Sequence, residues 1–294
     1  MMPNEPGAVD TTFTVAALVD SIAVRLAAAG IADAANEARD LVAAVAGQGR
    51  FWPRLHASER VGVDVLARAS DAASRRATGM PFAYAVGRAA FRHLTLLVNE
   101  HVLIPRQETE VLVDLVLERR RTGVCADIGT GSGAIALALA AEGAYERIVA
   151  TDVSLGASQV ARRNAELLQT KLHATITFRS GDLLAPLAGE RFDVIVSNPP
   201  YIAYDESDEL PVSVRNWEPS HALFSGGSGL DATRRIIRDA PGILSAGGLL
   251  ALEVDCRRAL QVAELVASNG NFSGIEVHQD LAGRDRFVLA SRTA

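Results

Sequence analysis

The 294-residue chain contains a single lysine, Lys171, so nearly all of its positive charge is arginine. That scarcity reads as genome composition and not as function. Even with the arginines the formal net charge is −6, which argues against tight, sequence-independent binding to nucleic acid, because that mode needs a basic footprint. Cysteine is scarce too. Cys125 and Cys256 are too few for a disulfide framework or a Cys-based zinc site, and Cys125, inside an expected strand, reads as a small buried apolar residue. His93 and His101 have no metal-ligand partners at helical or turn spacing, so no metal is expected. No stretch reaches the roughly 18–20 clean apolar residues of a membrane span; the apolar segment 15–30 is interrupted by Asp20 and Arg25. Residues 1–12 carry Glu5 and Asp10 and no basic start, so no signal peptide is expected. These absences predict a soluble, cytoplasmic protein that needs no membrane.

What is present is ordinary globular material, 49% hydrophobic and 22% charged, long enough for one large domain or two. From residue 13 to about 78 the apolar periodicity is helical. Val15, Leu18, Val19, Ile22 and Leu26 mark one face, ending at Gly30, and Ala38, Leu41, Val42 and Val45 mark a second, ending near Gly47. Ser58 is the expected cap of a third helix, with Val61, Val65 and Leu66 on its face, and helix continues through Ala77. Residues 1–78 therefore predict a small helical bundle without a catalytic constellation, suited to gripping a partner or covering a cleft. The breaker Gly79-Met80-Pro81 follows. Within a connector over 79–104, Phe91 to Leu97, then Asn99-Glu100, then His101 to Ile104 predict a β-hairpin.

From Pro105 to the end the pattern alternates. Strands are expected at 124–128, 148–152, 174–178, 193–197 and 249–254, helices at 108–120, 133–142, 157–168, 230–244 and 257–269, and a closing antiparallel pair at 274–278 and 286–290. Alternation of this kind predicts an α/β domain over 105–294, a doubly wound, mostly parallel sheet with ligands at the carboxyl ends of its strands.

Four of those strand ends carry chemistry. After the first comes Asp127-Ile128-Gly129-Thr130-Gly131-Ser132-Gly133, where glycines let the backbone approach a ligand closely and a helix N-terminus offers N–H groups. Asp152 ends the second strand, where an acidic group can hold ribose hydroxyls or cap the next helix. Dinucleotide enzymes use a similar device. The Gly-x-Gly-x-Gly spacing, with a third acidic position at Asp182 near where an adenine amino group could bind, favours S-adenosylmethionine instead. The fourth strand, Phe192 to Ser197, runs into Asn198-Pro199-Pro200-Tyr201. Two prolines end strand pairing, leaving an amide side chain, backbone carbonyls and an aromatic ring that can receive a planar N–H₂ group. In order, these strand ends predict an S-adenosylmethionine-dependent methyltransferase acting on such a group.

The chain resembles the HemK/PrmC family, the release-factor glutamine N5-methyltransferases. The resemblance lies in Gly79-Met80-Pro81-Phe82-Ala83-Tyr84, in Val102-Leu103-Ile104-Pro105-Arg106-Gln107-Glu108-Thr109-Glu110, and in the Asp127–Gly133 loop. It continues in Asn198–Tyr201 with Ile202-Ala203, in Glu218-Pro219, in Gly226-Gly227-Ser228-Gly229-Leu230-Asp231 and in Asp280-Leu281-Ala282-Gly283-Arg284-Asp285-Arg286. The Asn-Pro-Pro-Tyr tetrapeptide is shared with families that methylate DNA adenine; the Ile-Pro-Arg-x-Glu-Thr-Glu stretch is far more specific. The resemblance implies a seven-stranded, Rossmann-like class I methyltransferase sheet behind an N-terminal helical domain and a β-hairpin connector. It implies that Asp127, Gly129, Thr130, Gly131 and Gly133 wrap the methionine part of S-adenosylmethionine, that Asp152 holds the ribose and Asp182 the adenine region, and that Asn198 borders the cofactor. Asn198 and the Pro199 carbonyl would accept hydrogen bonds from a glutamine amide, with Pro200 beside them and Tyr201 packing on it. Arg106 and Glu108 would line or brace the cleft entrance, unless Glu108 and Glu110 only cap a helix start. The implied partners are peptide chain release factors, with the enzyme a monomer and no nucleic acid or membrane involved. Gln107 stands where the family commonly has proline, Ser228 where it has an acidic residue, Asp255 where it often has glycine, and Arg92-His93 where it has an aromatic-glycine pair. These departures leave open a relative that methylates a small molecule carrying an amide, guanidine or amine.

Overall fold

The structure, a computed structural model, describes residues 13–294; the expectation about a signal peptide concerns residues 1–12 and lies outside them. The described chain divides into two compact units, one ending at Gly87 and the other running Arg88–Ala294.

The first unit is helical: α1 (Val15–Ala28), α2 (Ala34–Ala46), the short α3 (Trp52–Leu55), α4 (Val63–Ala77) and α5 (Phe82–Val86). Thr14 caps α1 by accepting the Ala17 N–H at 3.2 Å. Val15, Leu18, Ile22 and Leu26 of α1 bury against Leu41 and Val42 of α2 and Ala69, Ala72 and Ala73 of α4, the stripes that the helical spacing predicts. Across this bundle Arg76 donates from Nε and Nη2 to the two Glu37 oxygens at 2.7 and 3.1 Å. Ser58 is not the cap of the third long helix. Ser58 lies in a turn, and the chain passes through a bridge between Arg60 and Thr14 to Gly62, which supplies no side-chain cap; Asp64 in the first turn of α4 offsets the helix dipole instead. Residues 82–86, inside the expected β connector, are helical, closed by Gly87 in a left-handed conformation.

The second unit opens with a hairpin of β1 (Arg88–Phe91) and β2 (Leu94–Leu97), turning at Arg92-His93. Residues 101–104 do not form the hairpin's return strand as expected: the Val102 N–H turns back to the Asn99 carbonyl, and the segment runs out to meet Glu218. Then follow α6 (Gln107–Arg119), β3 (Thr122–Ile128), α7 (Ala134–Glu142), β4 (Ala144–Asp152), α8 (Leu155–Leu168), β5 (Thr175–Ser180) and β6 (Phe192–Ser197). The chain continues through short helices α9 (Val212–Trp217) and α10 (Ser220–Leu223) to α11 (Asp231–Asp239), β7 (Leu244–Glu253), α12 (Ala259–Ser268), β8 (Phe272–Gln279) and β9 (Asp285–Arg292). The helix expected over 230–244 stops at Asp239, because Pro241 has no N–H to continue it and a 3₁₀ turn at Ala240–Gly242 leads straight into β7.

Seven strands pair in the order β5-β4-β3-β6-β7-β9-β8, with β9 antiparallel to both neighbours and the other pairs parallel. This is the expected class I methyltransferase sheet. Alternate residues of each strand feed opposite faces: Ile148, Val194 and Val196 pack with Leu112 and Leu137 on one side, while Val149 and Ile195 pack with Ile236 and Val262 on the other. The order reverses between β3 and β6, which opens a crevice at the carboxyl ends of β3, β4, β5 and β6.

The loop after β6 is held by the segment 223–229. Ile202 exchanges backbone hydrogen bonds with Leu223 and Ser225 at 3.0 and 2.9 Å. Gly229, at φ +71°, lies so close to the Tyr201 carbonyl that a Cβ there would collide with backbone. Gly229→Ala is expected to lose about 1–2 kcal/mol from the left-handed conformation alone, with the collision added, and so to lower the thermal unfolding midpoint by several degrees. An unchanged midpoint in calorimetry would refute this close packing.

Candidate active site

The glycine loop between β3 and α7 is shaped from below by Asp127. This carboxylate is fully buried; its Oδ2 accepts the Thr130 hydroxyl at 2.6 Å and the Ala136 N–H at 3.1 Å. Burial pushes its pKa up to about 7 against the pull of those two bonds, and its Oδ1 has no hydrogen-bond partner among the described residues. The Gly129 and Thr130 N–H groups both donate to the Thr151 carbonyl at 2.9 Å, and the Gly131 N–H donates to Asp152 Oδ2 at 2.8 Å. Gly129 and Gly131 have φ of +72° and +55°, with open space where a Cβ would stand. Gly133 instead faces Leu137 and Ala161 at ordinary packing distance or closer. Asn164 of α8, fully buried, secures the loop from the side, donating to the carbonyls of Ser132 at 2.9 Å and Leu97 at 3.0 Å and accepting the Leu97 N–H at 2.7 Å.

Above this loop lies a cavity of about 300 Å³, whose walls include Gly129, Gly131, Asp152, Asp182, Asn198 and Arg235. Asp152 is buried, and each of its oxygens accepts one backbone N–H, from Gly131 and from Ser154, both at 2.8 Å. Each oxygen keeps lone pairs for a ligand hydroxyl. The cap of α8 is Ser154, which accepts the Ala157 N–H, so Asp152 is not needed for that role. Asp182 is exposed and ion-paired with Arg235 of α11. A second cavity, also about 300 Å³, has Tyr201, Glu206, Glu209, Asp255 and Arg257 in its walls. Leu103, Arg106 and Asn198 belong to the walls of both.

Asn198 follows β6, and its Nδ2 donates to Thr109 Oγ1 at 3.1 Å; the Thr109 hydroxyl in turn donates to Glu253 Oε2 at 2.7 Å. Thr109 and Glu253 are both buried, and burial pushes the Glu253 carboxyl up to about 7. Thr109 belongs to the family-specific stretch, but its contact with Asn198 is not evident from sequence, and Glu253 is not singled out there at all. The signal available was an acid as the last inward residue of an otherwise apolar strand, a position where an unpaired charge is costly.

The remaining expected residues divide. Asp127, Gly133, Pro199 and Glu108 do not form either wall. Asp127 turns its carboxylate inward to the loop, Gly133 packs against a helix, and Pro199 is buried. Glu108, in the first turn of α6, pairs with Arg284 at 3.4 Å. Arg106 does form part of both walls and is anchored by a charge pair: its Nη2 donates to Glu218 Oε1 at 2.6 Å, while Glu218 Oε2 accepts the Ile104 N–H at 3.3 Å. The Tyr201 hydroxyl is pushed up by burial and stays neutral. Of the departures from the family pattern, Gln107 occupies the first position of α6, where proline is tolerated because its missing N–H is not needed. Ser228 accepts Arg234 Nη1 at 3.1 Å. Arg92 takes φ +52° and is held there by Glu142 and Asp114, both at 2.7 Å. Only Asp255 stands in a cavity wall, locked by Arg257 and Arg258. Among the described residues no group of three or more His, Cys, Asp or Glu side chains is arranged to hold a metal ion.

Two family models match the chain: the PrmC N-terminal domain over residues 17–87 and the methyltransferase small domain over residues 107–215. A release factor glutamine methyltransferase of Moorella thermoacetica is 43% identical over 273 residues, spanning 91% of this chain and 95% of its own length. The chain belongs to the release factor glutamine methyltransferase family. The member from Cereibacter sphaeroides is 41% identical over 266 residues, 90% of this chain and 94% of that one. Among solved structures, the hMettl16 catalytic domain in complex with MAT2A 3′UTR hairpin 1 superposes with a TM-score of 0.54 at 20% identity, covering 76% of this chain and 80% of that one. At that identity the likeness speaks for the shared sheet alone.

The side chain of Glu218 is 1% exposed and that of Arg106 33% exposed. Removing the arginine therefore strands a buried carboxylate. Arg106→Ala is expected to cost about 3 kcal/mol, the low end for a broken buried pair because Arg106 is partly solvated. Adding Glu218→Gln should recover part of that loss. Denaturant unfolding of the single and double variants checks it, and additive losses would deny the pairing.

Proposed function

We propose that this chain transfers a methyl group from S-adenosylmethionine to the side-chain amide nitrogen of the glutamine in the Gly-Gly-Gln loop of peptide chain release factors. One observation carries the reading: Asn198 is shared by the walls of two cavities, so a donor pocket and an acceptor pocket meet at one amide. The first cavity fits the donor, with open glycine backbone on one side and the buried Asp152 carboxylate at the end of β4. Glycines 129 and 131 would pass close to the methionine part, Asp152 would take ribose hydroxyls, and Asp182 would lie toward the adenine.

S-adenosylmethionine supplies a methyl group made electrophilic by its sulfonium. An amide nitrogen is a poor nucleophile because its lone pair is shared with the carbonyl, so the chain's contribution is to place it. Asn198 Nδ2 is already committed to Thr109, which leaves Oδ1 as the acceptor for one N–H; the Pro199 carbonyl, although that residue lies outside both cavity walls, would accept the other. The Tyr201 ring packs beside the amide, with Arg106 at the cleft entrance. Among the described residues no His, Lys or Cys stands in the second cavity's wall. Its carboxylates Glu206, Glu209 and Asp255 are ion-paired with Arg257. Although burial opposes it, hydrogen bonding from Arg257 holds Asp255 below the usual carboxylate range. Positioning and fixed dipoles, and not a general base, account for the rate in this reading. We assign to the helical unit the grip on the release factor, and the enzyme acts as a monomer in the cytoplasm, where translation terminates.

Labelled S-adenosylmethionine incubated with the protein and a purified release factor should label the factor, and the label should vanish when the loop glutamine is changed. Asn198→Ala should bind S-adenosylmethionine within about twofold of wild type and lose about a hundredfold or more in turnover, as for removal of one preorganised partner. Equal labelling of the altered factor, or near-normal turnover by the variant, would overturn the reading.

A further inference from the structure

We infer that Thr109 and Glu253 are positioning residues for methyl transfer, holding the Asn198 carboxamide one way round so that its oxygen faces the acceptor amide. The inference rests on the function proposed above.

The three residues come from three elements. Asn198 follows β6, Thr109 sits in the first turn of α6, and Glu253 is the last residue of β7. Parallel pairing of Ser197 with Leu252 sets Asn198 and Glu253 next to each other at neighbouring strand ends, with Thr109 spanning them. A threonine hydroxyl has one proton to give and lone pairs to receive. Facing an ionised Glu253, which can only accept, that proton goes to the carboxylate at 2.7 Å, and the lone pairs are left for Asn198 Nδ2 at 3.1 Å. The reverse arrangement, with Oδ1 toward Thr109, would need the same proton and would leave a buried carboxylate facing a lone pair. The amide therefore has one satisfied orientation. A rotated amide would offer N–H₂ to a substrate N–H₂, and donors cannot bond donors.

Protonation of Glu253 loosens this arrangement, because the protonated acid can itself donate to Thr109 and free the hydroxyl proton to turn toward Asn198. The groups facing Glu253 are Thr109 and Glu108 on α6, Arg106 just before it, Arg286 on β9 and Tyr201. Burial is the largest influence and raises the acid to about 7; the Thr109 hydrogen bond, Arg286 and Arg106 lower it, and Glu108 raises it. The proton-free, locked state is therefore the majority above about pH 7 and is lost as the pH falls through that value.

The test compares wild type with Thr109→Val, Thr109→Ser and Glu253→Gln in the release-factor assay across pH 6–8, alongside S-adenosylmethionine affinity and thermal unfolding. Thr109→Val, similar in shape but without the hydroxyl, should lower kcat about tenfold to a hundredfold, while KM for the release factor and cofactor affinity stay within about twofold. Thr109→Ser should recover most of the loss. Wild-type kcat should fall on acidification below pH 7, and Glu253→Gln, which still accepts through its amide oxygen but does not titrate, should flatten that profile. A Thr109→Val kcat equal to wild type, a loss that only follows unfolding or cofactor affinity, or an unchanged pH profile in Glu253→Gln would each overturn the inference. A substrate-independent readout separates it from the reading it rests on. The side-chain amide resonance of Asn198, assigned by its disappearance in Asn198→Ala, should shift with pH near 7 in wild type and not in Glu253→Gln. Absence of that shift overturns the inference even if methylation is robust. Its presence without any methylation of the release factor would sustain the lock and sink the proposed substrate.

Discussion

The site depends on one hydrogen bond between strand ends. The buried Ser197 hydroxyl donates to the Ile128 carbonyl at 2.7 Å, closing the parallel register in which Cys125 faces Val194 and Ile128 faces Ser197. Because β3 and β6 are far apart in sequence and adjacent in the sheet, this contact ends two strands at the same level. The glycine loop leaves one end and Asn198 leaves the other. The distance between the glycine-loop cavity and the Asn198 amide is thus set by backbone pairing, the stiffest element available, and not by the loops themselves.

Around that register the protein buries several carboxylates, each with a defined set of donors. Asp127 receives Thr130 and Ala136, and Glu218 receives Arg106 and Ile104. Asp280 receives the N–H groups of Ala282 and Arg284 as well as the Arg284 guanidinium. A buried charge tolerates few geometries, so each group fixes the segment that supplies its donors. Reactions that depend on aiming a weak nucleophile benefit from that kind of stiffness more than from additional reactive groups.

The architecture was readable from periodicity because hydrophobic alternation is a property of neighbours in sequence. The strand ends Asp152, Ser197 and Asn198, and both long apolar stripes of the first two helices, are of this kind. The misread positions depend on distant partners or on backbone detail. Ser58 has the chemistry of a cap, but α4 begins only at Val63, which the chain reaches through Gly62. Residues 101–104 have strand composition yet are drawn out by Glu218, more than a hundred residues on. Asp127 belongs to the right motif, but only the fold shows that its carboxylate turns under the loop. Thr109 lies inside the family-specific Ile-Pro-Arg-x-Glu-Thr-Glu stretch, but nothing there says what its hydroxyl touches, and Glu253 carries no motif at all; the meaning of both arises when α6 and β7 converge on Asn198.

Asn164 has a consequence for how portable this catalytic module is. Its one amide satisfies both backbone groups of Leu97 and the Ser132 carbonyl, riveting the β1–β2 hairpin to the glycine loop. The hairpin is therefore a buttress of the glycine loop and the cavity above it, and not a mere tether. A trimmed enzyme beginning at α6 would keep every strand of the large sheet and still lose the wall against which that loop is moulded.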